Sequence, residues 1–459
     1  MRGWLGRTLL AAAVFTLCWG GAVWFWRATD RMPANADLVM FLLVLPLCVL
    51  LALWLGHKVI ALLAAAPAMA APSARPAPPP ARPLPLAVVA AALRAPHGSS
   101  AEELAKALAA NGARPELDPD LTDDNGFPVM TARSGDAVDP ALRESIAAWL
   151  ELGAVPDPDF SDEQWRALVL GGAVVAELSA RAAAHTSIGT PSAQLPMLQI
   201  VPLWQAGWRL EQRLAGGAWL GHVAGINGWP PAHIVLGAEQ AADAAGAPSA
   251  VLARLAQQHA LEKSPLLAIV LACGSHIGED SIRAWSDSAV LFSAARPQGL
   301  IPGEGAAGLL LADAGQARLI VDEAPLLLHS ADSRRDTSAD SARRADATLL
   351  RALADKLMAD AEAGFSTVGM VVADTSHRNN RVMELMDMVH DALPGLDQAE
   401  DVVKVAAGGG SCGAVPYMCA LVLAHHHAGA LAAPVLCLSN EDPHHRSAAL
   451  IHRAAAPLS

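Results

Sequence analysis

The chain runs to 459 residues, of which 53% are hydrophobic and 17% charged, and it carries a formal net charge of -13. That length leaves room for a membrane anchor plus one large domain or two medium ones, and the apolar content argues against disorder. An acidic chain without clustered Lys and Arg is a poor partner for nucleic acid, and six cysteines without a CxxC pair argue against a zinc ribbon and suit a reducing compartment.

Two uncharged runs of 19 residues, 8–26 and 38–56, open the sequence. Each is long enough to cross roughly 30 Å of hydrocarbon as a helix, the only open-chain structure that satisfies its own backbone in lipid. Trp4, Trp19, Trp24, Trp26 and Trp54 sit mostly towards the ends of these runs, where indole rings favour the headgroup layer. The loop between the runs is neutral, with Arg27 and Arg31 against Asp30 and Asp37, while Arg2, Arg7, Lys58, Arg75 and Arg82 lie on the outer flanks. The positive-inside rule then places both flanks, and the domain that follows, on the cytoplasmic side of a bacterial inner membrane. A cleaved signal peptide fits less well, because the first run ends in Trp-Phe-Trp-Arg instead of small residues. Residues 1–64 therefore read as a two-pass transmembrane anchor, and the proline-dense 65–85 as an extended spacer.

From residue 84 onwards strand-like apolar runs alternate with helical patterns. PLAVVAAAL is followed by the helical SAEELAKALAAN, ALRESIAAWLELG and DEQWRALVLGGAVVAELSARAAAH, then by the runs MLQIVPLW, AHIVLG, LLAIVLACG, AAGLLLAD and ARLIVDEAPLLL. A long helix near 345–363 precedes TVGMVVAD and DVVKVAA, and a helix around 415–427 precedes PVLCLSN and AALIHR. Strands apolar throughout and separated by helices predict an α/β domain whose mostly parallel sheets are covered on both faces. Residues 332–346, rich in Arg, Asp and Ser, read as an exposed loop or helix start.

From Leu266 the segments LLAIVLACGS, IRAWSDSAVLFSAARPQGLIPGEGAAGLLLAD, VGMVVADTSHRNNRVMEL, AAGGGSCGAVPYMCALVLAHH and APVLCLSNEDPHHRSAALIH occur in an order that resembles the β-ketoacyl synthase branch of the thiolase-like fold. The resemblance implies a layered α/β/α domain in two halves, 86–260 and 261–459. Its most specific element is the motif carrying Gly303, Glu304, Gly305 and Gly308, where glycines would permit a tight backbone turn. Gly410 and Gly413 would form a second turn that lets a helix approach the sheet. Condensing enzymes of this kind need a thiolate at a helix N-terminus, activated by two His or by His and Asn. No cysteine lies between Cys48 and Cys273. The segment matching the first catalytic His reads Ala-Asp374-Thr375-Ser376-His377-Arg378, and that matching the second reads Gly410-Ser411-Cys412-Gly413-Ala414, without a His. The implied scaffold has lost its chemistry, so no catalytic, cofactor-binding or metal-binding residue is assigned.

Other constellations have plainer explanations. Ser411 satisfies a GxSxG pattern, yet only Glu441, Asp442, His444, His445 and His452 follow it as possible partners. Cys412 could be a reactive thiol at a helix N-terminus, though such a residue is more often small packing. His425, His426, His427, His444 and His445 with Cys437 form a His-rich patch that reads as a helix C-terminal cap with surface imidazoles before it reads as a metal site. Cys273, Cys419 and Cys437 read as core, and Asp374 and Glu384 as caps of a strand-to-helix turn.

Taken whole, the plan resembles a family of type VI secretion adaptors, also described as virulence factors, through its hydrophobic start, its proline-rich spacer and the segments ELDPDLTDDNGFPVMTAR and GLIPGEGAAGLLLAD. Membership would imply a non-catalytic, membrane-anchored adaptor that binds a phospholipase-like effector and loads it onto a secretion spike protein. The rival class is a divergent acyltransferase or hydrolase using Cys412 or Ser411 on acyl thioesters or lipids.

Overall fold

The computed structural model describes residues 84–454 except 154–157, 191–194, 238–247 and 342–344, together with scattered positions between 15 and 46. Most of the two apolar runs read as membrane spans, and nearly all of the spacer, lie outside the described residues. No helix among the described residues is long and apolar enough to cross a membrane.

The domain starts with β1 (Leu86–Arg94) and α1 (Ala101–Ala109), whose first turn is capped by Ser100 accepting from the Glu103 amide. A small hairpin follows, β2 (Glu116–Thr122) and β3 (Pro128–Thr131), forming a sheet of its own. Next come α2 (Pro140–Leu152) and α3 (Asp162–Ala182), the latter opened by a Ser161–Gln164 capping box. The first half continues with β4 (Leu198–Trp204), α4 (Leu210–Ile226), β5 (Ile234–Leu236), α5 (Pro248–Glu262), β6 (Leu267–Ser275), α6 (Glu279–Asp287) and β7 (Glu304–Ala312). The second half comprises β8 (Leu326–Arg334), α7 (Thr348–Asp360), β9 (Met370–Ala373), α8 (Asn379–Ala392), β10 (Val402–Lys404), α9 (Val415–Leu431), β11 (Val435–Ser439) and β12 (His445–Arg453). The run ARLIV, expected to be a strand, is a short helix and turn, and the expected loop from 332 begins as the end of β8.

Ten strands form one sheet in the order β10-β9-β11-β12-β8-β1-β7-β6-β4-β5. Its two ends are parallel, through β10–β9, β9–β11, β6–β4 and β4–β5, while β11–β12, β12–β8, β8–β1, β1–β7 and β7–β6 are antiparallel. The expected mostly parallel sheet is therefore a mixed one: apolar composition reports burial on both faces, not strand direction.

The order conceals a repeat. Numbering β1, β4, β5, β6, β7 as strands one to five of the first half, and β8 to β12 likewise in the second, each half reads 3-2-4-5-1 with strand five antiparallel to both neighbours. The halves join where β1 pairs with β8, Leu86 opposite Leu328. The seam thus falls between Ala312 and Leu326, later than the division at 260 that the sequence suggests.

Alternating side chains build the layers. In β6, Ala268, Val270 and Ala272 face one core with α5 and α9, whereas Leu267, Ile269, Leu271 and Cys273 face another with α3 and α4. In β11, Val435 and Cys437 join the same central core, whereas Leu436 and Leu438 face α7 and α8. The result is five layers: α2–α4, the first half's strands, α5 with α9, the second half's strands, and α7 with α8.

Candidate functional site

A cleft of about 1110 Å³ opens where the two halves meet. Strand ends and helix starts line it: Trp204 and Gln205 at the end of β4, Pro248 at the start of α5, Asp374 just past β9, Arg378 to Asn380 at the start of α8, Ser411, Gly413 and Ala414 before α9, and Ser439 ending β11.

The two glycine motifs meet beside it. Gly303 hydrogen-bonds the Ser411 carbonyl and Pro302 bridges to Ser411. A Cβ on Gly303 would overlap the Gly409 carbonyl, and Gly410 at φ 68° takes a backbone conformation that side chains disfavour. Gly413, also left-handed at φ 55°, turns the chain into α9. The expected turn at the first motif is corrected: from Glu304 onwards it is the fully buried strand β7, and its glycines serve close approach. A Cβ on Gly308 would press on Val174 and Leu178 of α3, and one on Gly305 on Val415.

Glu304 is locked. Arg166 of α3 grips both its oxygens at 2.7 and 2.5 Å, the Ser134 amide donates at 2.8 Å and the Ser275 hydroxyl at 3.0 Å. The second half carries a buried ion pair of its own, in which Arg446 near the start of β12 holds Glu384 of α8 at 2.7 and 2.8 Å and Arg335 adds a contact at 3.1 Å. Glu384 is therefore an ion-pair residue and not the expected cap. Asp374 is not a cap either: buried, it accepts from the Ser439 hydroxyl at 2.5 Å and the Asn440 amide at 2.9 Å. Burial raises its pKa to about 7, the hydrogen bonds opposing only part of that shift. Glu441 beside it accepts from the Ser376 amide and hydroxyl and from Arg378.

On the first-half wall Gln205 hydrogen-bonds His276 at 2.8 Å, His276 meets Ser281 at 3.0 Å, and Ser281 donates to Glu163 at 2.9 Å. Burial pushes His276 down to about 4, so its imidazole is neutral and positions Gln205 without carrying charge.

The cysteine and histidine readings resolve by burial. Cys412 is buried and its thiol is pushed well above the usual range, so the helix end does not activate it. Cys273, Cys419 and Cys437 are buried free thiols in the core. Ser411 and His445 both line the cleft, while Glu441 is engaged with Arg378, Asp442 accepts from the His444 and His445 amides, His452 stacks on His329, and no hydrogen bond joins the Ser411 hydroxyl to any of them among the described residues. His425, His426 and His427 are half-buried within α9, not at its end, and burial holds His425 and His427 near pKa 4. No group of three or more metal-ligating side chains gathers among the described residues.

Sequence reasoning missed Ser439 with Asp374 and both buried ion pairs. Signals existed: Asp374 closes an otherwise apolar run, and Arg166 interrupts the apolar face of α3.

No protein-family profile matches the sequence, and no curated protein is similar to it in sequence. Solved structures are similar in shape. The ishigamide ketosynthase/chain length factor superposes with a TM-score of 0.51 at 16% identity, over 81% of this chain and 100% of that one. A ketosynthase from module 6 of the bacillaene synthase of Bacillus subtilis 168 gives 0.55 at 12% identity, over 81% and 72%. An oxazolomycin ketosynthase domain from Streptomyces albus JA3453 gives 0.54 at 12%, over 82% and 76%. At these identities the likeness shows the fold alone: a layered α/β ketosynthase architecture of the thiolase-like kind.

Proposed function

We propose that this chain is a membrane-anchored adaptor that acts by binding, its ketosynthase-type domain gripping a phospholipase-like effector and helping to load it onto a type VI secretion spike. The observation that carries the reading is the end of α5 that faces the cleft. It holds Pro248, which lines the cleft, and the fully buried Ser249, which donates to the Tyr417 hydroxyl at 3.2 Å, so the described start of this helix presents no thiol there. A fold licenses no activity without its reacting groups. Segment 116–133, which carries part of the adaptor resemblance, folds as the β2–β3 hairpin and leaves Leu117 and Phe127 64% and 67% exposed. Exposed apolar side chains on a short hairpin suit contact with another protein. The two apolar runs would hold the domain at the cytoplasmic face of the inner membrane.

Acyl transfer through Cys412 or Ser411 has less support, since one is buried with its pKa raised and the other lacks an assembled base among the described residues. The test is co-purification of the full chain with a phospholipase-like effector and a spike protein from the same cell. Cys412→Ala and Ser411→Ala should leave capture intact, whereas Phe127→Asp should reduce it at least tenfold. Turnover of an acyl thioester that Cys412→Ala stops would sink the reading.

A further inference from the structure

The two halves share one device and finish it differently. Strand four of each half ends in a serine whose hydroxyl donates to a carboxylate, Ser275 to Glu304 at 3.0 Å and Ser439 to Asp374 at 2.5 Å. In the first half the carboxylate is neutralised by Arg166 and Ser275 is fully buried, so the pair is structural. In the second half both partners line the cleft and Ser439 is partly exposed. The contacts to Asp374 are the Ser439 hydroxyl and the Asn440 amide, with no arginine or lysine bonded to it among the described residues. Leu203, Trp204, Val290 and Leu300 give the same cleft apolar walls.

We propose that Ser439 and Asp374 form a nucleophile–base pair that transfers an acyl group from an ester or thioester to water, an activity beyond the binding role and independent of it. Ser439 Oγ bonds to the substrate carbonyl carbon while its proton passes to Asp374. The carbon–oxygen or carbon–sulfur bond of the leaving group breaks, and the departing alkoxide or thiolate takes that proton. Water then attacks the acyl-serine, giving its proton to Asp374. The carbon–Oγ bond breaks, the carboxylic acid leaves, and Ser439 regains the proton. A base with a pKa near 7 suits this task, because it is ionised enough to accept a proton and basic enough to hold one. Gly413 and Ala414, which lead into the 17-residue α9, bring the positive end of a helix dipole to the cleft where an oxyanion would form.

The experiment treats the full chain, purified in detergent, with a fluorophosphonate, and separately follows hydrolysis of p-nitrophenyl butyrate and of the butyryl thioester of N-acetylcysteamine. Expected are one fluorophosphonate adduct, mapped to Ser439, and turnover that falls about 100-fold in Ser439→Ala and in Asp374→Asn, is unchanged in Cys412→Ala, and rises with pH through about 7 in the native chain. Absence of an adduct, an adduct on another residue, or turnover that survives in Ser439→Ala overturns the proposal. The labelling of the native chain decides the matter even where a variant folds poorly. Effector capture by Ser439→Ala is read in parallel, so that failure of the chemistry and failure of the adaptor reading are told apart.

Discussion

Two halves with one topology treat their buried charges in opposite ways. In the first, the carboxylate that receives the strand-four serine is Glu304, neutralised by Arg166 and sealed under α3. In the second, Arg446 is spent on Glu384, and Asp374 keeps only hydrogen-bond donors. The repeat thus keeps a serine at the end of strand four but not its acceptor, which opens strand five in the first half and follows strand two in the second. Asp374, the carboxylate with no bonded cation among the described residues, lines the cleft, whereas Glu304 and Glu384 do not.

The sharpest way to break this contrast is to remove the clamps. Glu304→Ala and Glu384→Ala each leave buried guanidinium groups unpaired and should each cost about 3–5 kcal/mol, read as lower midpoints in urea unfolding of the full chain. A loss under about 1 kcal/mol at either site would show that water reaches that clamp. At the seam, Gly303→Ala should cost about 1–3 kcal/mol, because its methyl group meets the Gly409 carbonyl of the other half.

Asp374→Asn separates the halves by pH. The folded pKa of Asp374 is raised to about 7 from an ordinary 3.8, so between those values the folded chain holds a proton that the unfolded chain has lost. This group therefore weakens the fold as pH rises from about 4 to 7, with a slope approaching 1.4 kcal/mol per pH unit, and it contributes no further change above that window. Asp374→Asn should flatten that slope, measured by urea unfolding from pH 4 to 8, and an unchanged slope would place the carboxylate in water. The smallest effect is expected from the serines. Ser275→Ala should cost about 1 kcal/mol by stripping a donor from buried Glu304, and the partly exposed Ser439→Ala less than that, since water can replace its hydroxyl.

Where the sequence was a good guide, the signal was local. The capped helix after Ser100, the apolar strands β6 and β11 and the helix leading from Gly413 all follow from periodicity and end signals carried within a few residues. The glycine motifs were legible as positions that forbid side chains, but the neighbour that forbids them was not. Gly303 is excluded from having a Cβ by Gly409, more than a hundred positions away. The site hid for the same reason. Asp374 follows β9 and Ser439 ends β11, and only the pairing of those strands sets one beside the other.

By itself, the sequence determined an α/β domain with fully buried strands, a stretch without cysteine from Cys48 to Cys273, and the glycines that permit close packing, because composition, spacing and missing residues are properties of the chain. Tertiary structure alone decided strand direction, the seam of the repeat and which carboxylates meet a cation. Those depend on which distant segments become neighbours, and the charge state of a buried group is set by its neighbours and by exclusion of water, neither of which is encoded at its own position.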